Sequence, residues 1–578
     1  MSNLVCFPFG AGHGQEGLCL ELRMGPRRIV LDCGLRDLSV LMAAGDVGTD
    51  TPEPVSKRSA NRIASADLLF CSHAHSDHAR GVWAFSQAFP QVPIYGSEVT
   101  AQLLPLNWLG AEVPPHLCQA LPWQTPISLA DDLTVQIWPA GHLPGAACAL
   151  FTYHAPQRPY TVFFTGDFFM SNSRLVDGLP LEALRGLKPD VLIIEGSSGS
   201  ARHPHRRQQE NLLASTLHGL VQQGRSVLLP TPTLGIGQEL VMLLRSHYQF
   251  TGQDITVWVD ETVAAGCDLY LELMPAFPSS VQNFARHQPL FWDERILPRV
   301  RRLGTDGHPQ GDSSGAPCIV IAHREVDLSD YCLASAQPWT VLLPDSFATA
   351  IADTVLGTPA TEAGAALGWL QTLAAELESE RVQLDTYQLT THSDRVGTTQ
   401  LIHNLRPQHV AFVHGNPTHL ADLAGLEELQ TRYQLHLPSA GKEVEFPIGD
   451  RFIQPAAPDP VFEGEITQVD DSVLLLLPED LTTDPRWTAL ADTGLVQARW
   501  QGNDLVIKGL TQRDLLRTVT GGETPWQPPS CQTCRFQREG RCHGGDSPLY
   551  GLQVSPDGVC PAFEARPTRP ERDDEAMA

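Results

Sequence analysis

The sequence predicts an α/β fold in which a four-layer αββα sandwich is combined with a distinct parallel-sheet domain and a small C-terminal module. Between Ile127 and Asp167, short apolar strands follow one another with turn residues between them, which is typical of two packed sheets with helices outside. From Asp190 to Pro344, strands alternate with helical patterns, which indicates a parallel sheet. A chain of 578 residues is too long for one core and should hold about three or four domains.

Hydrophobic periodicity and turn residues define the elements in chain order. In the first part we predict strands over 4–22 and 28–32, a strand over 68–71, a helix over 79–89, a strand over 93–95, and a helix over 97–104 that Pro105 stops. In the parallel-sheet part we predict helices over 207–223 and 237–248 and strands over 190–195, 226–230, 255–260, 318–322 and 341–344. A helix over 398–405 then leads into a strand that ends at His414.

The segment from Leu68 to Gly81 carries a dense group of potential metal ligands. Its apolar start is followed within a few residues by His73, His75, Asp77 and His78. If the chain turns there from a loop into a helix, the first two ligands face one side and the last two another. One segment can then serve two metals about 3.5–4 Å apart. Imidazole and carboxylate ligands without thiolate are typical of catalytic zinc, manganese or iron. The alternative is a surface turn that is histidine-rich by chance.

Four more predicted strand or turn segments each supply one ligand-type residue. These are Asp32 after the strand from Arg28, His142 in Ala140–Gly145, Asp167 at the end of Val162–Asp167, and His414 at the end of His409–His414. Ligand-type residues at five separate places argue against coincidence. The sequence therefore predicts a metal centre at one edge of the sandwich.

Composition limits the class of protein. Hydrophobic residues make up 42% and charged residues 18% of the chain, as in ordinary globular proteins. We find no apolar stretch of 18 or more uncharged residues and no signal-peptide pattern at the N-terminus, so we expect a cytoplasmic protein without a membrane partner. Nine of the 13 cysteines are scattered beside apolar residues, which favours buried thiols in a reducing compartment.

The formal net charge of −26 is the opposite of the basic footprint of a nucleic-acid-binding protein. A phosphate backbone would have to be held by a local positive groove or by the metals themselves. The segment Arg202–Arg207 is a dense basic run. We interpret it as a solvated helix start in preference to such a groove.

The spacing His-x-His-x-Asp-His resembles the signature of the metallo-beta-lactamase superfamily, and the remaining ligand-type residues follow in its order. An α/β insertion entered at Glu195 and left at His392-Ser-Asp394 resembles the beta-CASP subfamily of nucleases, which includes ribonuclease J and the nuclease of mRNA 3′-end processing. The resemblance covers about residues 3–450. It implies that one metal is held by His73, His75 and His142 and the other by Asp77, His78 and His414, with Asp167 bridging.

The resemblance also implies roles for three further residues. Asp32 would orient ligands from behind the metals. Glu195 and His392 would act as a pair, with His392 as the general acid for the leaving oxygen. The alternatives are a helix-cap partner for Glu195 and a satisfied core histidine for His392. A histidine at position 414 resembles the RNA-processing branch of the subfamily, because the DNA-repair branch tends to carry valine there.

Substrate-contacting segments depart from the subfamily pattern. Ile236 stands where an arginine of a Gly-Arg-x-Gln-Glu segment is expected, the segment Val320–Val326 lacks a phosphate-contacting turn, and the turn after Glu195 reads Gly-Ser-Ser-Gly. Metal chemistry is therefore expected to be intact, while substrate recognition is expected to differ from the family standard.

The C-terminal part begins after a proline-rich linker at 447–460. A Cys-x-x-Cys pair and two further cysteines, at Cys531, Cys534, Cys542 and Cys560, predict a tetrathiolate site for zinc or an iron-sulfur cluster. Four unconnected thiols are the alternative. The predicted domains are a metallo-beta-lactamase domain in two parts (1–198 and 386–450), a beta-CASP cap (199–385), a small α+β unit (461–525), the cysteine module (526–565) and a disordered tail (566–578).

These patterns favour a metal-dependent nuclease, with RNA as its nucleic-acid partner, that cleaves phosphodiester bonds by attack of metal-bound hydroxide. Two divalent ions are expected, zinc or manganese. One alternative is a hydrolase of the same fold acting on a small ester or thioester, and another is a non-catalytic scaffold or redox-linked regulator. RNA versus DNA, endonuclease versus exonuclease, and a homodimer versus a larger RNA-processing assembly stay open.

Overall fold

The computed structural model describes most of the chain. The described residues are 4–13, 16–42, 66–303, 316–333, 336–345, 364–448, 465–469, 472–476, 496–501, 504–509, 534–538, 540–545, 547 and 550–554. The chain divides into two compact units, Met1–Pro458 and Asp459–Ala578. Among the described residues, no helix has the length and apolar character needed to cross a membrane.

The first sheet of the larger unit has seven strands in the order β20-β1-β2-β3-β4-β5-β6. Its strands are β1 (Leu4–Ala11), β2 (Leu18–Met24), β3 (Arg27–Leu31), β4 (Leu68–Phe70), β5 (Ile94–Ser97), β6 (Gln119–Leu121) and β20 (Val444–Phe446). Strands β3 to β6 run parallel, so the chain segments that follow β3 and β4 emerge at the same edge.

The second sheet has seven strands in the order β19-β18-β11-β10-β9-β8-β7. These are β7 (Ile127–Ala130), β8 (Leu133–Pro139), β9 (Ala147–His154), β10 (Pro159–Phe164), β11 (Val191–Glu195), β18 (His409–Val413) and β19 (Gln434–His436). The strand β9 alternates buried and half-buried residues towards its end, as expected for a sheet with one buried face.

The two sheets pack face to face through a shared apolar core. Leucines and isoleucines of the first sheet and valines and phenylalanines of the second belong to one buried cluster. The rings of Phe70 and Phe151 meet edge to face across it, with centroids 5.7 Å apart. A larger apolar cluster covers the outer faces, where the helices lie. The predicted αββα sandwich is confirmed.

The helices of the sandwich are short. They are α1 (Ser39–Met42), α2 (Ser76–Ala79), α3 (Val82–Ala88), α4 (Glu98–Leu103), α5 (Leu181–Leu184), α13 (Arg395–Leu405), α14 (Pro417–Ala424) and α15 (Glu427–Gln430), with a 3-10 helix at Leu104–Trp108. The helix predicted over 79–89 is present but shorter, as Val82–Ala88, and it is separated from the helical turn Ser76–Ala79 at Arg80 and Gly81. A Cβ atom on Gly81 would lie 2.9 Å from the carbonyl oxygen of Cys33, so the chain approaches the 32–35 loop too closely for a larger residue.

A third sheet is built from the chain between the second sheet's strands β11 and β18. It is wholly parallel in the order β14-β13-β15-β12-β16-β17. Its elements are α6 (Arg206–Gln222), β12 (Ser226–Thr231), α7 (Ile236–Ser246), β13 (Thr256–Val259), α8 (Glu261–Glu272), a 3-10 helix (Met274–Ala276), α9 (Ser279–His287), β14 (Arg299–Arg302), β15 (Ile319–His323), α10 (Ser329–Leu333), β16 (Trp339–Pro344), α11 (Gly364–Thr372), α12 (Ala374–Glu378) and β17 (Val382–Tyr387).

The connection between the second and third sheets explains how one domain interrupts another. Strand β11 pairs in parallel with β18, and Glu195 lies opposite Val413. The chain thus leaves the second sheet at Glu195, builds the third sheet, and returns to the neighbouring position in the second sheet. The exact boundaries at 198, 385 and 450 stay a prediction.

The smaller unit contains three described hairpins. They join β21 (Glu465–Val469) to β22 (Ser472–Leu476), β23 (Val496–Gln501) to β24 (Asp504–Gly509), and β25 (Gln537–Arg538) to β26 (Arg541–Cys542). Of the four predicted thiolate ligands, Cys534 and Cys542 are buried. Cys531 and Cys560 lie outside the described residues, as does the predicted tail at 566–578, so the four-cysteine site stays a prediction.

Candidate metal centre

A first group of ligand atoms collects where three strand ends of the two sheets meet. His73 and His75 follow β4, His142 follows β8 and Asp167 follows β10. One ligand atom of each lies within 4.8 Å of the others. His75 Nδ1 is 3.0 Å from His142 Nε2, and the Nε2 atoms of His73 and His142 are each 3.6 Å from Asp167 Oδ2. Three imidazole nitrogens and one carboxylate oxygen therefore face a common point.

A second group lies on the other side of Asp167. His78 Nε2 is 3.2 Å from Asp167 Oδ1, and His414 Nε2 is 3.2 Å from Asp77 Oδ2. Asp77, His78 and His414 form the second cluster of potential ligands within 4.8 Å. The two oxygens of the Asp167 carboxylate thus point at different groups, which is the arrangement needed for a bridging ligand between two cations.

The position of His414 depends on the first strand of the chain. His414 has φ +52° and its N–H donates to the Ala11 carbonyl at 2.8 Å. A Cβ atom on Gly12 would lie 2.9 Å from His414 Cα, so only glycine fits there. The end of β1 and the end of β18 therefore fix this ligand together.

Each histidine ring of the two groups is held by its second nitrogen, which leaves the first free to face the centre. His78 Nδ1 donates to Asp32 at 2.8 Å, His142 Nδ1 donates to the Thr391 carbonyl at 2.8 Å, and His75 Nε2 donates to the Leu234 carbonyl at 3.2 Å. His73 Nδ1 and His414 Nδ1 lie 3.1 and 2.9 Å from the hydroxyl groups of Ser72 and Ser197.

Asp32 occupies the place predicted for a residue that orients ligands. It is fully buried, has φ +58°, and accepts hydrogen bonds from the Ser72 N–H at 2.6 Å and the Ser72 hydroxyl at 2.8 Å as well as from His78. One carboxylate thereby fixes both the backbone that leads into the His73 segment and the ring of His78.

The donor atoms fit a pair of metal cations. His73 Nε2 is buried and has no hydrogen-bond partner in the described part of the chain. His78 Nε2 and Asp167 Oδ1 lie 3.2 Å apart but are not aligned for a hydrogen bond with each other or with another described residue. Buried polar atoms are rarely left unpaired, and three that converge on one place suit coordination of cations.

Protonation states agree with metal binding. Burial holds the pKa of His73 and of His142 well below the ordinary value, so both rings are neutral and can donate a lone pair. Burial raises the pKa of Asp167, but the neighbouring His414 and His78 outweigh this and lower it, so the carboxylate is ionised. For His78, the carboxylates of Asp167 and Asp32 outweigh burial and raise the pKa well above its ordinary value. A cation at Nε2 would take the place of that proton.

His392 and Glu195 lie beside the two groups as a pair. His392 Nδ1 donates to Glu195 Oε1 at 3.0 Å and is 4.0 Å from Asp167 Oδ2. Glu195 is 2% exposed and also accepts from the N–H groups of Phe168 and Ser197. Burial lowers the pKa of His392, but Glu195 outweighs it and raises the pKa to about 9. The ring is therefore held protonated near neutral pH at the edge of the centre.

The interpretation of Arg202–Arg207 as a solvated helix start is wrong for one residue. Helix α6 does begin at Arg206, but this side chain is buried and binds Glu210, Glu239 and the Thr390 carbonyl. Sequence reasoning also missed Ser72, Ser197 and the carbonyls of Thr391 and Leu234 behind the histidines. The carbonyls leave no signal in a sequence, since every residue has one.

Comparison with known proteins agrees with this geometry. A family model for the beta-lactamase superfamily domain matches residues 27–219. An uncharacterized protein of Synechocystis sp. is 46% identical over 574 residues, which cover 98% of this chain and 97% of that protein. The chain belongs to the metallo-beta-lactamase superfamily. The predicted family is confirmed to this extent: the chain carries a metallo-beta-lactamase domain, and its relatives of named function are beta-CASP nucleases.

Other beta-CASP relatives carry functional names. Cleavage and polyadenylation specificity factor 73 of Drosophila melanogaster is 23% identical over 438 residues, or 72% of this chain and 60% of that protein. Probable RNase MJ4 of Methanocaldococcus jannaschii is 25% identical over 246 residues, or 40% of this chain and 54% of that protein. This chain is a metal-dependent hydrolase, and its named relatives are nucleases or RNA-processing factors.

The chain is also similar to a solved structure. A protein of unknown function from Enterococcus faecalis V583 covers 77% of this chain and 100% of its own, at a TM-score of 0.45 and 14% identity.

Proposed function

We propose that this beta-CASP protein is a two-metal-dependent phosphodiesterase that cleaves RNA. The observation that carries the proposal is the Asp167 carboxylate, whose two oxygens face two separate ligand groups, with the His392–Glu195 pair beside it. A bridging carboxylate between two cations suits in-line displacement at phosphorus, and an adjacent proton donor suits departure of an alkoxide.

In this proposal the first metal would be held by His73, His75, His142 and Asp167, and the second by Asp77, His78, His414 and Asp167. Two divalent ions bound there would supply a nucleophilic water of lowered pKa and offset the extra negative charge on the phosphate. We propose zinc, with manganese as the alternative.

The chain's own residues supply orientation and the proton. Asp32 holds His78, and the Thr391 carbonyl holds His142, so the ligands keep their geometry when substrate arrives. Glu195 keeps His392 protonated and fixes its ring through Nδ1, which leaves Nε2 to give its proton to the leaving oxygen. His392 is 26% exposed, so its free edge is reachable.

RNA is favoured over DNA by the names of the relatives and by histidine at position 414, where the resemblance implies the RNA-processing branch. The alignments cover 60% and 54% of the two named relatives' own lengths, so substrate and mode of cutting are part of the proposal. A cytoplasmic location and a homodimer or larger RNA-processing assembly are proposed with it.

The alternative is hydrolysis of a small ester or thioester. Ile236 in place of a phosphate-binding arginine favours it, as does the net charge of −26. Against it stands the inserted six-stranded domain, since a small substrate needs no separate domain over the site.

The proposal is tested by cleavage of an end-labelled RNA and a matched DNA, with protein supplied with zinc or manganese. His392→Ala and Asp77→Ala should each abolish cleavage. His154→Ala should not, because this exposed histidine ends β9 at the opposite edge of the second sheet. The product ladder separates endonuclease from exonuclease. Two bound metals without cleavage of either nucleic acid would contradict the proposal and favour the small-substrate hydrolase.

A further inference from the structure

A buried network of ion pairs joins the inserted domain to the metal domain close to the proposed proton donor. Its members, which we call the clamp, are Arg174, Arg206, Glu210 and Glu239. Arg206 lies at the start of α6 and Glu239 in α7, and their side chains are 5% and 4% exposed. Two arginines balance two carboxylates, so the clamp carries no net charge.

On one side the clamp holds the chain segment that precedes His392. Arg206 Nη1 donates to the Thr390 carbonyl at 2.6 Å, and the Thr390 N–H donates to Gln209 Oε1 at 3.0 Å. Both backbone groups of Thr390 are therefore fixed from helix α6. The His392 N–H in turn donates to the Thr390 hydroxyl at 3.1 Å.

On the other side the clamp holds the loop that follows Asp167. Glu239 accepts hydrogen bonds from the Ser173 hydroxyl at 2.7 Å and from the N–H groups of Arg174 and Leu175 at 2.9 Å each. Its fourth partner is Arg206 at 3.3 Å. One carboxylate thus joins the Asp167 loop to the arginine that fixes Thr390.

We propose that Arg206 and Glu239 are positioning residues that set the place of His392 relative to the metals, so that the inserted domain controls proton donation. The inference rests on the proposed function. Neither residue touches the reacting atoms, and each acts through the backbone of another segment. Arginine suits the task because its planar fork directs N–H groups on three separate nitrogens at two carboxylates and a carbonyl, whereas the three donors of a lysine all sit on one nitrogen. Misplacement of a catalytic group by 1 Å can cost about 10²-fold in rate.

The test compares two substrates that differ in their need for a proton. The leaving oxygen of RNA must be protonated, whereas the nitrophenolate of bis(4-nitrophenyl) phosphate leaves as a stable anion. In Arg206→Lys, kcat on RNA should fall about 10-fold, and in the double variant Arg206→Gln/Glu239→Gln about 10²-fold. KM, zinc content and turnover of bis(4-nitrophenyl) phosphate should each stay within about 3-fold of wild type.

The double variant removes both charges, so that neither member of the Arg206–Glu239 pair is left without the other. Arg245→Lys is the matched control, because Arg245 is a buried arginine of the same helix as Glu239 that donates to the Phe291 carbonyl instead. This control should keep wild-type turnover on both substrates.

If the Arg206 variants lose turnover equally on both substrates, or lose zinc, the clamp only stabilises the fold. That result would overturn this inference and leave the proposed function standing. Unchanged turnover of RNA in the double variant would overturn it as well. Wild-type protein that binds two zinc ions and cleaves neither substrate would instead contradict the proposed function.

Discussion

Replacement of Asp32 with asparagine should weaken one metal site and leave the fold intact. Asparagine has the shape of aspartate and tolerates the left-handed backbone at φ +58°. Its carbonyl oxygen can still accept from the Ser72 N–H. Its NH₂ group, however, would face the Nδ1–H of His78, which now donates to the carboxylate at 2.8 Å. The NH₂ group of asparagine and the Nδ1–H of His78 are both donors and cannot pair. The tautomer of His78 with its proton on Nε2, the atom that faces the metal, is therefore favoured.

The size of the effect follows from what this contact does. Loss of a carboxylate behind a metal-binding histidine typically costs 10–100-fold in metal affinity, or about 1.4–2.8 kcal/mol. The loss should fall on the group with His78, because the His75 and His142 rings are held by carbonyls that the substitution does not touch.

The assay is a zinc titration of metal-free protein against a chromophoric chelator, fitted with two binding constants. In Asp32→Asn one constant should weaken by about 10–100-fold and the other by less than about 3-fold. Asp67→Asn is the control, since Asp67 lies just before β4, at the end remote from the metal ligands, where it accepts from the Arg28 N–H. Two unchanged constants in Asp32→Asn, or equal weakening of both, would refute the reasoning.

Three further predictions follow. In Glu195→Gln the loss of negative charge lowers the pKa of His392 from about 9. The alkaline limb of the pH–rate profile for RNA cleavage should therefore move to lower pH by about one to two pH units. An unchanged alkaline limb would exclude His392 as the general acid. His436 has a folded pKa of about 4, below its ordinary 6.5, so it contributes stability that is present above pH 6.5 and lost as the pH falls towards 4. His436→Gln should therefore remove about 1–2 kcal/mol of acid sensitivity from denaturant unfolding, and equal sensitivity in both proteins would contradict this. Gly34→Ala places a Cβ atom 1.6 Å from the Asp77 carbonyl oxygen and should lower the free energy of unfolding, measured by thermal unfolding, by about 1–3 kcal/mol or more. Gly219→Ala is the control, because a Cβ atom at this position of helix α6 meets no neighbour, and it should not destabilise the protein. Equal stability of the two variants would refute the steric argument.

The ligand-type residues at the strand ends could be predicted because each is recognised from a short, continuous stretch of sequence. His73, His75, Asp77 and His78 lie within six positions after one apolar run, and Asp32 and Asp167 each end another. Parallel strands bring their ends to one edge of a sheet, so apolar runs that end in ligand-type residues are enough to indicate a site. The structure places these side chains together, but their assignment as ligands stays a prediction until a metal is measured.

The supports behind the ligands could not be predicted, because they join residues far apart in the chain. The His142–Thr391 contact spans 249 positions and the Arg206–Thr390 contact spans 184. Both use a backbone carbonyl, which has no residue identity to recognise. Arg206 also has the composition of a surface residue, and only the fold reveals that Glu210 and Glu239 enclose it. A charged run predicts exposure only when no carboxylates are folded against it.

If the chain acts on a phosphate backbone as proposed, the charge of the metal centre alone does not explain how an acidic protein attracts it, and the inserted domain has to contribute. Two divalent ions and the protonated His392 would face the four carboxylates of Asp32, Asp77, Asp167 and Glu195, so the loaded site would carry only about one net positive charge and attract a polyanion weakly. Guanidinium groups lie beside it together with carboxylates: burial and then Arg36 lower the pKa of Arg80, Asp77 and Glu325 raise it, and Arg324 lowers it. Arg324 comes from the inserted domain, directly after β15. In the proposed function, attraction of a phosphate backbone would therefore depend on a surface that the inserted domain completes. We then expect Ile236, where the family pattern has arginine, to alter substrate recognition without removing it.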